Sequence, residues 1–210
     1  MRLVFCNLLS NNQAKRMDTS LFAREIKKQF AFNPKEFLEF VSHMEVVYLK
    51  KHENWEGMET VPTFVGFVNK GLLRSYQLKD GNEFIHQFYQ EGEFFGDYIA
   101  YQNQIGSGSI ISAVEDCEIL RIPFHTLEQL SERIPDVKRF SVYIGKLKEK
   151  QLYVRSTSLL MNSPEERYKE LLLDRPDLIQ RIPQYYLAQY IGVTPISLSR
   201  IRKRIFINKR

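Results

Sequence analysis

A chain of 210 residues that is 43% hydrophobic, with 15 Phe and 11 Tyr, can bury a core of its own, which excludes a disordered chain. No apolar run approaches the ~20 residues of a membrane-spanning helix, and two cysteines, Cys6 and Cys117, exclude a disulfide framework and a four-thiolate iron–sulfur site. The net charge of +5 is local: residues 178–210 hold seven cations and no Asp or Glu, so the rest of the chain stands at −2, the pattern of a site for a polyanion.

The first residues, "MRLVFCNLLSNNQAKRM", lack the small-residue cleavage site of a secretory signal. The cytoplasm is therefore the expected compartment. The start is open between Met1 and Met17, since "MDTSLFAREI" opens like an ordinary helix.

Residues 18–56 read as helical. "FAREIKKQF" and "NPKEFLEFVSHM" space their apolar residues by three and four, with Asn33 as N-cap and Pro34 at the first helical position. Residues 57–122 change character and hold eight of the ten glycines. Between them stand "TFVGFV", "LLRSYQL", "EFIHQFY", "SIISAV" and "EILRI", short β-type runs at the spacing of an all-β sandwich or barrel. Asp80-Gly81 predicts a hairpin turn.

Residues 123–162 turn helical again. After Pro135, Phe140, Ile144, Leu147, Gln151, Val154 and Ser158 step by four and three. One reading is the buried face of an ordinary helix; the other is a helix that pairs with its copy. "NSPEERYKELLL" then predicts a capping box, Ser163 with Glu166, and Pro176 ends that helix.

The last stretch, "PQYYLAQYIGVTPISLSRIRKRI", predicts a helix-turn-helix. The first helix covers about 184–191, with Leu187, Ala188 and Ile191 on one face and Gly192 at the turn. Thr194 caps the second helix, and Leu198, Ile201 and Ile205 face inward. Ile196, Ser197, Ser199, Arg200, Arg202, Lys203 and Arg204 face outward, and Gln184 and Thr194 join them in the DNA-facing set. A major groove accepts one α-helix, and Arg200 is the expected base reader, donating to guanine O6 and N7. The other cations suit phosphates, and Ile196 suits a thymine methyl.

Four histidines, His43, His52, His86 and His125, form no metal-ligand spacing, and no nucleophile-elbow pattern occurs. No metal site and no enzymatic activity are expected. His86 is expected to be a partly buried, hydrogen-bonded residue.

With these motifs in hand, the chain resembles the Crp/Fnr family of bacterial transcription regulators over about residues 35–205. "FVNKGLLRSYQLKDGNEFIHQFYQEGEFFGDY" resembles its cyclic-nucleotide-binding-like β-roll and "GVTPISLSRIRKRI" its recognition helix, in the form common in Bacteroidetes. The resemblance implies an α+β chain: an N-terminal segment (1–34), a jelly-roll-like double-stranded β-roll (35–135), a dimerisation helix (136–162) and a helix-turn-helix domain (163–210). As the chain ends at Arg210, a full β-hairpin wing is not expected, and "FINKR" is read as tracking a phosphate strand instead. It further implies a cytoplasmic homodimer on a two-fold-symmetric double-stranded DNA site, with RNA polymerase as a further partner class. Phe140, Ile144, Leu147, Gln151 and Val154 would then line the dimer helix.

The effector pocket carried over by the resemblance comprises Gly96, Asp97, Tyr98, Ser107, Ser109 and Tyr153. The family's Gly-Glu pair and Arg-Ser/Thr-Ala triplet are here Gly96-Asp97 and Ser107-Gly108-Ser109, so the arginine that neutralises a cyclic phosphate is absent. Arg74 or Lys79 would have to substitute. The Thr-Ser pair of cyclic-AMP responders falls at Leu152-Tyr153. Cyclic AMP is therefore not the expected effector, no bound cofactor is expected, and another small effector stays open. The competing reading is a small-molecule-binding β-roll whose basic tail grips a protein partner.

Overall fold

The computed structural model describes residues 17–207. Cys6, Lys209, Arg210 and the choice of start residue lie outside the described residues.

Two helices come first, α1 (Ser20–Lys27) and α2 (Pro34–Ser42). The Asn33 side chain accepts from the Lys35 N–H at 3.0 Å with Pro34 at the first position, so α2 begins as its sequence predicts. The helical reading of 18–56 fails beyond Ser42, because β1 (Glu45–Leu49) and β2 (Asn54–Glu56) follow. Glu45 of β1 aligns with Arg121, 76 positions away. So remote a partner leaves no trace in local periodicity, and only Leu49 in β1 is buried.

Strands β3 (Phe64–Lys70), β4 (Leu73–Lys79), β5 (Asn82–Tyr89), β6 (Phe94–Phe95), β7 (Ile110–Ala113) and β8 (Cys117–Pro123) complete two four-stranded antiparallel sheets, with the short α3 (Tyr98–Gln102) after β6. Their orders are β1-β8-β3-β6 and β2-β7-β4-β5. Side chains alternate across each sheet. On β8, Cys117 and Ile119 enter the core between the sheets, while Leu120 and Ile122 pack outward under helices. Gly66 lies on the inner side of β3, where a Cβ would stand 2.2 Å from the Phe95 ring. The outer face of the first sheet carries an aromatic layer of Phe22, Phe40, Phe67, Phe94 and Phe140.

The β4–β5 hairpin closes through Asp80 (φ 52°) and Gly81 (φ 75°), between paired Lys79 and Asn82. That is the two-residue turn with both φ positive that Asp-Gly favours. Ser75 pairs with Gln87 while Tyr76 pairs with Ile85, so His86 is an extra residue in β5. Strict alternation would put Ile85 and Phe88, three apart, on opposite faces. The bulge at His86 brings both into one outer cluster and re-aims the residues between them.

Helix α4 (Phe124–Arg133) leads into α5 (Pro135–Met161), whose 27 residues span about 40 Å. Four helices follow: α6 (Pro164–Asp174), α7 (Pro176–Arg181), α8 (Gln184–Ile191) and α9 (Pro195–Ile207). The Ser163–Glu166 capping box is present, and Pro176 both ends α6 and starts α7, a helix the sequence reading missed. The C-terminal helices do not stand alone. Tyr168, Leu171, Leu178, Leu187 and Ile191 share one core with Leu72, Tyr76, Ile85 and Phe88 of the roll. The architecture is α+β, as expected.

Candidate nucleic-acid interface and effector cavity

The hairpin of α8 and α9 follows its sequence closely. Gly192 sits at φ 79°, and its N–H and that of Val193 donate to the Ala188 carbonyl at 2.9 and 3.0 Å. Thr194 Oγ1 accepts from the Ser197 N–H at 3.2 Å, capping α9. Leu187, Ala188, Ile191, Leu198, Ile201 and Ile205 are all buried, with Ala188 fully enclosed where the helices cross. A support that the sequence reading missed comes from α6: Arg167 Nε donates to the Ile191 carbonyl at 2.8 Å, satisfying an orphan acceptor at the end of α8.

On the outer side, Ile196, Ser199, Arg200 and Lys203 are exposed, with Gln184 exposed at the start of α8. Ser197 and Arg202 are half-buried. Among the described residues no ion pair holds Arg200, Arg202 or Lys203, whereas Arg204 pairs with Glu165 at 3.0 Å. The acid-free tail is thus not acid-free in space. Arg181 leaves the tail face altogether: it chelates Glu91 at 2.7 and 2.9 Å and also meets Glu115, both on the roll.

A cavity of about 280 Å³ lies between the second sheet and α5. It brings together the expected Gly96, Asp97, Ser107 and Ser109 with Ser75, Gln77, His86 and Gln87. Two expected members are elsewhere. Tyr98 donates its hydroxyl to Glu128 at 2.9 Å and lines a different groove, because α3 turns it away from the roll interior. Tyr153 is 70% exposed, on the far side of α5; Gln151, Leu152 and Arg155 enter the cavity instead.

Asp97 has fixed partners. Its carboxylate accepts from the Ala100 N–H at 3.1 Å, capping α3, and pairs with Lys148 at 3.1 Å. Lys148 also donates to the Gly96 carbonyl at 3.0 Å. Arg74 does not substitute for the missing cassette arginine. It is 6% exposed, donates to Glu83 through both Nη atoms and to Ser112 through Nε, and lies between the rings of Tyr76 and Tyr186. Lys79 is exposed at the hairpin tip. Ser107 and Ser109 bond to each other across the turn.

His86 departs from expectation. Its Nε2 is buried without a hydrogen-bond partner, and burial, followed by the nearby charge of Arg155, lowers its pKa from 6.5. Cys117 is an inert core thiol, pushed up to about 11 by burial. Among the described residues no cluster of metal-ligating side chains occurs.

The α5 seam is also corrected. Phe140 is fully buried among this chain's own aromatics, and Ile144 packs against the same core, so the first turns of the expected seam face inward. The outward face carries Val142 (52% exposed), Gly145 and Leu152 (58%). With Ile99, Phe124 and Leu127 they line a groove of about 780 Å³. Leu147 and Gln151 border the clefts toward the helical domain, and Val154 is exposed.

Residues 55–133 match the family model of the cyclic nucleotide-binding domain. Among solved structures the chain is similar to FixK2 from Bradyrhizobium japonicum (TM-score 0.70, 18% identity, covering 79% of this chain and 86% of that one). It is also similar to CLP from Xanthomonas campestris, a c-di-GMP-responsive global regulator (TM-score 0.67, 18% identity, 84% and 93%). CooA from Carboxydothermus hydrogenoformans, as a mutant, matches with TM-score 0.67 at 17% identity over 91% of this chain and 86% of that one. No curated protein matches the sequence. No helix among the described residues is long and apolar enough to cross a membrane.

Proposed function

Starting from a cyclic nucleotide-binding domain carried in the fold of the Crp/Fnr regulators, we propose that this protein is a cytoplasmic, homodimeric, sequence-specific DNA-binding transcription regulator. The observation that carries the reading is α9: a Thr194-capped helix that exposes Arg200 and Lys203 with no ion pair among the described residues. Cations without an ion-pair partner have no internal pair to break when they turn to phosphates and base edges. Arg200 reads a base, Lys203 and Arg202 hold phosphates, and Ile196 meets a thymine methyl.

Dimerisation is proposed through the outward face of α5. Val142, Gly145, Glu149, Leu152, Ser156 and Leu159 step by three and four, and Val142, Leu152 and Leu159 are exposed apolar residues. A second α5 laid along this face covers them and the adjoining groove.

Selection from a random duplex pool tests the reading. A palindrome is expected. Arg200→Ala then loses ~1–3 kcal/mol at one base pair of each half-site, whereas Lys203→Ala weakens all sequences alike and lowers the salt slope by about 1. No enrichment, with or without cell extract, sinks the proposal. A salt-insensitive complex with an acidic protein would favour the protein-partner reading.

A further inference from the structure

Arg204 stands four residues beyond Arg200, so the two share a face of α9, and both are exposed. Their surroundings differ. Among the described residues no ion pair holds Arg200 or Lys203, whereas Arg204 Nη2 lies 3.0 Å from Glu165 Oε2. Glu165 belongs to the first turn of α6, outside the acid-free tail.

That turn is fixed in place. Ser163 and Glu166 close a capping box around it, and Arg167 ties α6 to the end of α8 by donating Nε to the Ile191 carbonyl at 2.8 Å. Glu165 is therefore held beside α9 by the frame of the hairpin itself. Its other oxygen, Oε1, lies 2.9 Å from Lys169 Nζ, one turn along α6. The carboxylate thus keeps a cation when Arg204 leaves it. Arg204 in turn gives up a single solvent-screened contact, since its side chain is 63% exposed. Arg181, the other tail cation held by acids, is the opposite case: two carboxylates, Glu91 and Glu115, grip it at the domain junction.

We propose that Glu165 is a built-in competitor of the DNA backbone: its carboxylate occupies Arg204 in the free protein as a phosphate would, and a duplex must displace it. The proposal rests on the DNA-binding reading and names the residue that limits how much of the tail's charge reaches DNA. One oxyanion is exchanged for another, so Arg204 adds little to affinity while Glu165 is present. Arg200 and Lys203 have no such exchange to make. The effect falls on the sequence-independent part of binding, because phosphates carry no base information.

A double-mutant cycle tests the competitor. Affinity for a duplex of mixed sequence is measured at fixed salt for the wild type, Glu165→Gln, Arg204→Ala and the double variant. Glu165→Gln keeps the shape of the side chain and removes its charge. It should bind about threefold more tightly, the scale of an exposed ion pair. Arg204→Ala should change the wild type by less than about twofold and weaken Glu165→Gln about threefold. A merely structural support would lose affinity on substitution, so the gain separates the two roles, and thermal melts should stay at the wild-type value. On a selected operator the gain should be the same, leaving the ratio of operator to mixed-sequence affinity unchanged. Unchanged or weaker binding by Glu165→Gln overturns the proposal. So does an equal gain in the Arg204→Ala background, which would mean that the Glu165 charge acts on DNA directly. A wild type that binds no duplex sinks the regulator reading and the competitor with it; a wild type that binds, with Glu165→Gln no tighter, sinks the competitor alone.

Discussion

Arg155 on α5 donates to the backbone carbonyl of Tyr190 at 2.5 Å and stacks on the same residue's ring with 4.0 Å from guanidinium to centroid. One side chain thus joins the long helix, the roll strand carrying Ile85 and the end of α8. The helical domain is held against the roll at three further points, Arg175 on Glu93, Arg181 on Glu91 and Glu115, and Tyr186 over Arg74. The orientation of the α8–α9 hairpin is therefore set by the roll.

The Arg181–Glu91 link makes that docking sensitive to acid. Burial alone raises Glu91, but Arg181, with the Gly71 N–H, holds its carboxyl below the ordinary 4.5. A depressed folded value contributes stability that is present above pH 4.5 and lost as pH falls through the folded value. Glu91→Gln should cost about 1 kcal/mol at pH 7, at the upper end for partly exposed pairs. The difference from wild type in denaturant melts should shrink as the pH drops below 4.5. A gap that stays constant with pH would show that the pair does not hold the domains.

Gly192 fixes the angle between α8 and α9. At φ 79° any side chain is strained, so Gly192→Ala should destabilise by ~1–2 kcal/mol. The nearest atom to an added Cβ is an Arg167 nitrogen at 3.5 Å, an ordinary contact, so the cost is conformational and not steric. Thermal melts give the stability loss, and operator affinity should fall with it. Gly81→Ala, also at positive φ but far from the hairpin, should lower stability and spare DNA binding.

Leu152→Glu should split the dimer. Leu152 is 58% exposed in the single chain, so its own fold tolerates the change, whereas two such carboxylates at a pairing face repel. Sedimentation velocity should show a monomer with wild-type circular dichroism. Phe140→Ala should instead unfold the chain, at about 3–5 kcal/mol, because Phe140 is core and not interface. A Leu152→Glu protein that remains dimeric would move the interface elsewhere.

Cyclic AMP should give no binding isotherm at micromolar concentration. Asp97 is committed to Lys148 and the Ala100 N–H, Arg74 to Glu83, and the Ser107-Gly108-Ser109 turn carries no arginine of its own. A desolvated cyclic phosphate there would lack a counter-charge. A clear isotherm would overturn this assignment of the cavity.

Sequence alone determined the features whose causes lie within a few residues. Asn33-Pro34, Asp80-Gly81, Ser163 with Glu166, Gly192 and Thr194-Pro195 each specify a cap or turn by their own backbone preferences, and each does so in the structure. The five strands with β-type runs and the inward set of the helix-turn-helix were legible for the same reason. Tertiary structure decided what depends on distant partners. β1 exists because β8 accepts it. Phe140 turns inward because four other phenylalanines wait there, which rotates the outward face of α5 to Val142 and Leu152. Arg181, one more cation in an acid-free tail by sequence, is claimed by Glu91 and Glu115 across the domain junction. The bulge that re-aims His86, and the arginine that meets it from α5, belong to elements about 70 residues apart, as the Arg155–Ile85 bond marks. Local rules place no such pair, because packing and desolvation act through space and not along the chain.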